Sequence, residues 1–284
     1  MKKIEPLWPR GSRIVIALTF LLESWSEGKA PPYSPMTSPP KLGALDYAGI
    51  TWSEYGAKAG GYRLMRIAKQ HGLPVTFCVN ARVAELFPKV VKQIVASGFE
   101  LAGHNYAQDQ VLSGLGESDE REVIRRSLGI LQDVSGVRPV GWLSSVLANT
   151  PHTAGLLAQE KLLWHGDYNY LDLPCRLRTE HGSIVAIPHS DFADNRVLRA
   201  APRDFYQCYK DMFDFLYREE ENGFINITVH GHFGGRPLIA AVLDQILTYI
   251  KGHEGVWFAR HDELAHWVNE RKIEDIAYYE RFAL

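Results

Sequence analysis

The run RIVIALTFLL at residues 13–22 is apolar almost without interruption. So are VTFCV at 75–79, FELA at 99–102, PVGWL at 139–143, KLLWH at 161–165, IVAIP at 184–188, INITV at 225–229 and VWFA at 256–259. A strand with one wet face alternates apolar and polar side chains, whereas a continuously apolar strand is covered on both faces. These runs therefore predict a parallel sheet wrapped by helices. Amphipathic stretches lie between them. Residues 119–135 open with Asp119 and Glu122 at capping-box spacing, line up Val123, Ile124, Leu128, Leu131 and Val134, and stop at Gly136. Residues 204–221 bury Phe205, Tyr209, Met212 and Leu216, and residues 237–251 run from Pro237 in the first turn to Gly252. Strand and helix alternate about seven or eight times, which with right-handed crossovers gives an α/β fold of the (β/α) barrel kind. An open doubly wound sheet is the alternative, but no GxGxxG or P-loop follows any strand.

With 284 residues, 46% of them hydrophobic and 23% charged, the chain can bury one large core, and residues 1–284 are read as a single barrel domain. A net charge of -2 gives no electrostatic reason to expect nucleic acid or an anionic membrane. A small-molecule substrate is expected instead. The longest apolar run, IVIALTFLL, has nine residues and is read as a strand, not a leader or a membrane span. Cys78, Cys175 and Cys208 show no CxxC spacing and are read as reduced thiols of a cytoplasmic protein, with no nucleophilic role expected. Residues 24–53, with five prolines, are too long for a simple connection. A disordered loop and a lid are both open readings, and Tyr33, Tyr47 and Trp52 favour the lid.

In a parallel barrel the chemistry gathers where strands end. Glu23 follows the first run; His104 and Asn105 follow FELA; Ser144 and Ser145 follow PVGWL; His165 and Asp167 follow LLW. His189 and Asp191 follow IVAIP, His230 and His232 follow INITV, and Arg260, His261 and Asp262 follow VWFA. His230 and His232, two apart at a strand end, face one side. Such a pair can ligate a metal, with Glu23 or His104 as a third donor, or supply a general acid and shape the pocket. Arg236, behind a glycine pair, is placed to face a carbonyl or carboxylate together with backbone N–H groups. Asp262 is also a candidate helix cap.

GHN at 103–105, GVRPVGW at 136–142, DYNYLDLP at 167–174, HGHFGGRP at 230–237 and WFARHDELAHW at 257–267 together resemble the polysaccharide deacetylase superfamily, in its allantoinase-like and cyclic-imidase branch. The resemblance implies a deformed (β/α)7-8 barrel, hydrolysis of amide C–N bonds, and a homo-oligomer. The family's Thr-Phe-Asp-Asp strand end and His-x-x-x-His ligand pair are altered: Leu21 and Leu22 follow Thr19-Phe20, and Gln108 stands four residues after His104. Two of the three implied metal ligands are thus gone. The expectation is an amidohydrolase that requires no cofactor, with zinc or another divalent metal as the alternative, held by Glu23, His104 and His232. In the favoured reading Glu23 or His104 is the base, His230 or His232 the acid, and Arg138 or Arg236 the orienting cation. Trp25 and Trp142 wall the pocket, and Asp167 and Asp262 contact substrate. An N-deacetylase with a rebuilt metal site and a non-catalytic ligand-binding relative stand as the other readings.

Overall fold

The chain is represented by a computed structural model that describes residues 7–37, 43–220, 222–277 and 280. Among these residues run β1 (Ile14–Leu22), β2 (Thr76–Val79), β3 (Glu100–Gly103), β4 (Gly141–Trp142), β5 (Trp164–His165), β6 (Cys175–Thr179), β7 (Gly182–Ala186), β8 (Gly223–His230) and β9 (Val256–Ala259). The helices are α1 (Tyr47–Tyr55), α2 (Gly61–His71), α3 (Ala81–Leu86), α4 (Pro88–Ala96), α5 (Glu117–Ser135), α6 (Thr153–Gln159), α7 (Pro202–Glu219), α8 (Pro237–Lys251) and α9 (His261–Arg271). A π-helical turn, Gly56–Gly60, joins α1 to α2. The sheet order is β6-β7-β5-β4-β3-β2-β1-β8, parallel except for the β6–β7 hairpin, with β9 also on β1. The two end strands, β6 and β8, are not paired with each other. The sheet curls into a deformed (β/α) barrel that remains open along that seam.

Every residue of β1 is buried, as its unbroken apolar run requires. Ile14, Ile16, Leu18, Phe20 and Leu22 join the outer core beneath the helices, while Val15, Ala17 and Leu21 join an inner cluster with Trp164, Val185 and Ala259. Each such side chain contributes roughly 1.5–3 kcal/mol by leaving water. This alternation also sets the functional end of the barrel. Odd positions of β1 face inward, so Glu23 does too; the inward parity of β8 (Phe224, Asn226, Thr228) leads to His230, and that of β3 (Ala102) leads to His104.

β1 gives one edge to β8 from Ile14 to Leu21. Its other edge is shared: β9 takes Ile14 to Ala17 and β2 takes Thr19 to Leu22. β9 therefore stops half-way up the barrel, and Arg260, His261 and Asp262 just after it lie below the rim.

Several boundaries differ from the sequence expectation. The runs at 139–143 and 161–165 pair over only two residues each. Helix α5 starts at Glu117 behind Gly116, which makes no side-chain cap, so the Asp119/Glu122 capping box does not form; Glu117, Asp119 and Glu120 instead place negative charge on the first turn. Helix α7 begins at Pro202, where proline's missing N–H is harmless. The edge strand β6 went unread because its sequence, CRLRT, is short, partly exposed and polar at alternate positions. No helix among the described residues is long and apolar enough to cross a membrane.

Candidate active site

A cavity of about 800 Å³ opens at the carboxyl ends of the strands, with Glu23, His104 and His230 in its lining. Glu23 stands at the centre of three imidazoles. His104 Nε2 lies 3.4 Å from Oε1, His230 Nε2 3.8 Å from Oε1, and His232 Nδ1 3.6 Å from Oε2. Asn80, at the end of β2, ties the ends of the first three strands together: its Oδ1 accepts from Ser24 N at 3.0 Å and its Nδ2 donates to His104 O. Both Glu23 oxygens, His104 Nε2 and His232 Nδ1 are buried and lack any hydrogen-bond partner among the described residues. Buried polar atoms left unpaired are rare in folded chains and mark places built for something else to bind.

Each imidazole is fixed from behind. His104 Nδ1 lies 2.6 Å from Leu143 O. A carbonyl only accepts, so this nitrogen carries a proton, and Nε2 is the atom turned toward Glu23 and the cavity. His230 Nδ1 donates to Asp194 Oδ1 at 2.5 Å, and His230 N to Oδ2 at 2.9 Å. His232 sits under Trp25, Tyr33 and Trp52, ring centroids 5.5, 6.1 and 4.9 Å away, with Tyr33 Oη 3.2 Å from Nε2.

These surroundings separate the protonation states. Burial disfavours the His230 cation, but the negative charges of Asp194 and Glu23 outweigh it and raise its pKa to about 9. Burial works against the Glu23 anion too, yet the His230 charge foremost, then the neighbouring His104 and His232, lower Glu23 to about 2. His232 is pushed down to about 3 by burial, with His230 and Arg236 adding to the effect against the pull of Glu23. At neutral pH the centre holds an anionic Glu23, a cationic His230 and a neutral His232.

The metal implied by the resemblance does not fit this donor set. The imidazoles surround a carboxylate, not a point in space, and they reach different oxygens of it. Gln108 stands at the second histidine position of the family pattern with Oε1 unpaired. No group of three or more His, Cys, Asp or Glu among the described residues is arranged to hold a metal ion.

Trp25 lines the cavity with Glu23, His104 and His230, and His232 lies just behind that lining against Glu23, but five candidates lie elsewhere. Arg138 is at the surface, 2.9 Å from Glu160. Trp142 faces the outer core between helices, its parity opposite to that of inward-facing Leu143. Asp167 is buried behind the wall, where it accepts from Ser144 N at 2.7 Å and Ser144 Oγ at 2.8 Å. Asp262 follows the short β9 on the outward parity and pairs with Arg260 at 2.9 Å, while inward His261 meets Thr76 and Thr19 deep in the barrel. Arg236 donates to His232 O at 2.9 Å and Trp52 O at 3.1 Å, so it braces the histidine loop against α1 and does not face substrate.

The glycines of HGHFGGRP have a steric purpose. A Cβ on Gly235 would strike Gly60 Cα at 2.5 Å, one on Gly231 would strike Leu22 Cδ2 at 2.6 Å and crowd Gly56 Cα, and one on Gly234 would strike Asp194 Oδ2 at 2.2 Å. The sequence reading missed Asp194, Tyr33 and Asn80. Inward parity pointed to Asn80, which directly follows VTFCV; Asp194 returns to His230 from inside a long loop and leaves no such signal.

A curled parallel barrel with titratable groups gathered at the carboxyl ends of its strands is the architecture of many barrel enzymes, and comparisons narrow the class. Residues 51–159 match the family model for polysaccharide deacetylase. The chain is 23% identical over 247 residues to a peptidoglycan deacetylase of Helicobacter pylori, covering 74% of this chain and 84% of that one. It is 25% identical over 236 residues to a putative polysaccharide deacetylase of Schizosaccharomyces pombe, covering 75% and 73%. Among solved structures, a probable polysaccharide deacetylase from Pseudomonas aeruginosa superposes with a TM-score of 0.83 at 29% identity over 95% of both chains. The Puue allantoinase does so with a TM-score of 0.83 at 28% identity over 93% of both. Residues 51–159 thus resemble a polysaccharide deacetylase domain, and the chain as a whole is similar to polysaccharide deacetylases and to an allantoinase, hydrolases acting on carbon–nitrogen bonds.

Proposed function

We propose that the protein opens the ring of a small cyclic amide or imide by hydrolysis. The observation that carries this reading is the division of labour around Glu23: His104, its Nδ1 anchored on Leu143 O and its Nε2 turned to the cavity, on one side, and a protonated His230 on the other. His104 Nε2 takes the proton of an attacking water, and the Glu23 carboxylate stabilises the imidazolium that forms. His230, held by Asp194, protonates the departing ring nitrogen. Neutral His232 packs under its aromatic cover and keeps Glu23 turned toward the other two. Its size and its aromatic cover suit the cavity to a compact ring. An imide carbonyl is also more electrophilic than a simple amide, which suits catalysis by side chains alone. The similarity to an allantoinase supports a cyclic substrate, while the deacetylase relatives support an N-acetyl substrate.

The test is hydrolysis of a panel of hydantoins, ureido-hydantoins and cyclic imides beside N-acetylated sugar oligomers. Ring opening is expected, with His104→Ala and His230→Ala each losing on the order of 10²–10⁴-fold in kcat. Full activity in either variant would sink the assignment. Acetate release from the sugars alone would establish the deacetylase reading, and tight imide binding without turnover a ligand-binding relative.

A further inference from the structure

We infer that Asp167 is a positioning residue for His104, acting through the single peptide unit that joins Leu143 to Ser144. The carboxylate is not itself part of the cavity lining and reaches the wall through Ser144. Its Oδ1 accepts the Ser144 N–H at 2.7 Å. On the opposite edge of that peptide, Leu143 C=O accepts Nδ1–H of His104 at 2.6 Å. One planar group is thus gripped at both ends, by an anion and by the imidazole. Peptide planarity makes the two bonds interdependent: the carbonyl cannot turn away from His104 unless the N–H leaves Asp167. A negative charge on the N–H also polarises the carbonyl and strengthens the bond it accepts.

The surroundings are built to hold this arrangement. Ser144 Oγ gives Asp167 Oδ2 a second bond at 2.8 Å, and Trp142 Nε1 meets the same hydroxyl at 3.1 Å. On the far side of Ser144, Ser145 N donates to Asn105 Oδ1 at 3.3 Å and Ser145 Oγ donates to His104 O at 3.2 Å. The chain then turns through Val146 and Leu147 at φ 51° and 57°. A left-handed conformation at a β-branched residue is costly and persists only where neighbours impose it. Burial raises the Asp167 pKa to about 6, and the two bonds from Ser144 work against that rise by favouring the anion.

The inference deepens the reading of His104 as the base, and its first readout needs no substrate. In ¹⁵N-resolved imidazole spectra, with His104 assigned by the spectrum of His104→Ala, the wild-type ring is expected as the Nδ1–H tautomer. Asp167→Ala is expected to mix the tautomers and lower kcat by about 10–100-fold, with KM held within about twofold. Asp167→Asn keeps an acceptor for Ser144 N–H and is expected to restore the tautomer and most of kcat. An Asp167→Ala protein that melts as a folded chain, with the wild-type tautomer and kcat, overturns the inference. If that variant does not fold, Asp167→Asn decides alone. Replacing the anion by an amide weakens the bond from Ser144, so the amide proton of Ser144 and the Nδ1 proton of His104 must both move upfield, and a His104 proton that stays put overturns it. Loss of the tautomer in Asp167→Ala together with an active His104→Ala would instead sustain the inference and refute the base assignment.

Discussion

His230 keeps its proton because two carboxylates face it, and the two do different things. Asp194 binds Nδ1 and the backbone N–H directly, whereas Glu23 acts from 3.8 Å without a hydrogen bond. The folded pKa of about 9 lies above the ordinary 6.5, so the pair's contribution to stability is complete below pH 6.5 and is lost as pH rises through 9. Asp194→Asn is therefore expected to cost about 3 kcal/mol at pH 6, measured by denaturant unfolding, and to approach wild type by pH 10. In the same variant the alkaline limb of kcat/KM is expected to shift from about 9 toward neutrality. A limb that stays in place would show that His230 is not the acid. At this scale the sequence was informative wherever a residue directly ends a strand. Glu23, His104 and His230 follow from the parity of β1, β3 and β8. Trp142 and Asp262 fall on the outward face by the same parity, which is legible in the sequence. Arg138 failed for another reason: charged residues in a turn pair with whatever carboxylate is near, and no pattern announces Glu160.

Between elements, the decisive contact is backbone against backbone. The π-helical turn Gly56–Gly60 lies on the loop that carries His232, so closely that a Cβ on Gly60 would fall 1.9 Å from Gly231 O. In an exposed helix interior Gly→Ala stabilises by about 1 kcal/mol. Here the sign reverses: Gly60→Ala is expected to destabilise by about 1–3 kcal/mol and to lower kcat through displacement of His232. Equal or higher stability in that variant would show that the loop yields freely. The glycines of HGHFGGRP were conspicuous in the sequence, but their partner surface, some 170 residues away, was not. The same limit applies to strand length. An apolar run of five residues such as PVGWL pairs over only two, since pairing depends on neighbours that local composition does not name.

Across the whole molecule, the barrel was legible because eight apolar runs in alternation with helices leave few ways to bury a parallel sheet. The stagger of β9 was not, as register depends on which edge of β1 remains free after β2 has paired. Among the described residues no three-ligand set fits a metal, which leads to a prediction for the entire protein: dialysis against a strong chelator is expected to leave ring opening and melting temperature unchanged. Activity lost on chelation and regained with added zinc would show that Glu23 and its imidazoles rearrange around an ion. The aromatic cover of His232 has an optical consequence. Trp25 lies in the cavity wall, and the described tryptophans other than it are absent from that lining. A ring entering the cavity alters the surroundings of one indole while leaving the rest alone, so the protein contains its own fluorescent gauge of occupancy, one that Trp25→Phe would silence.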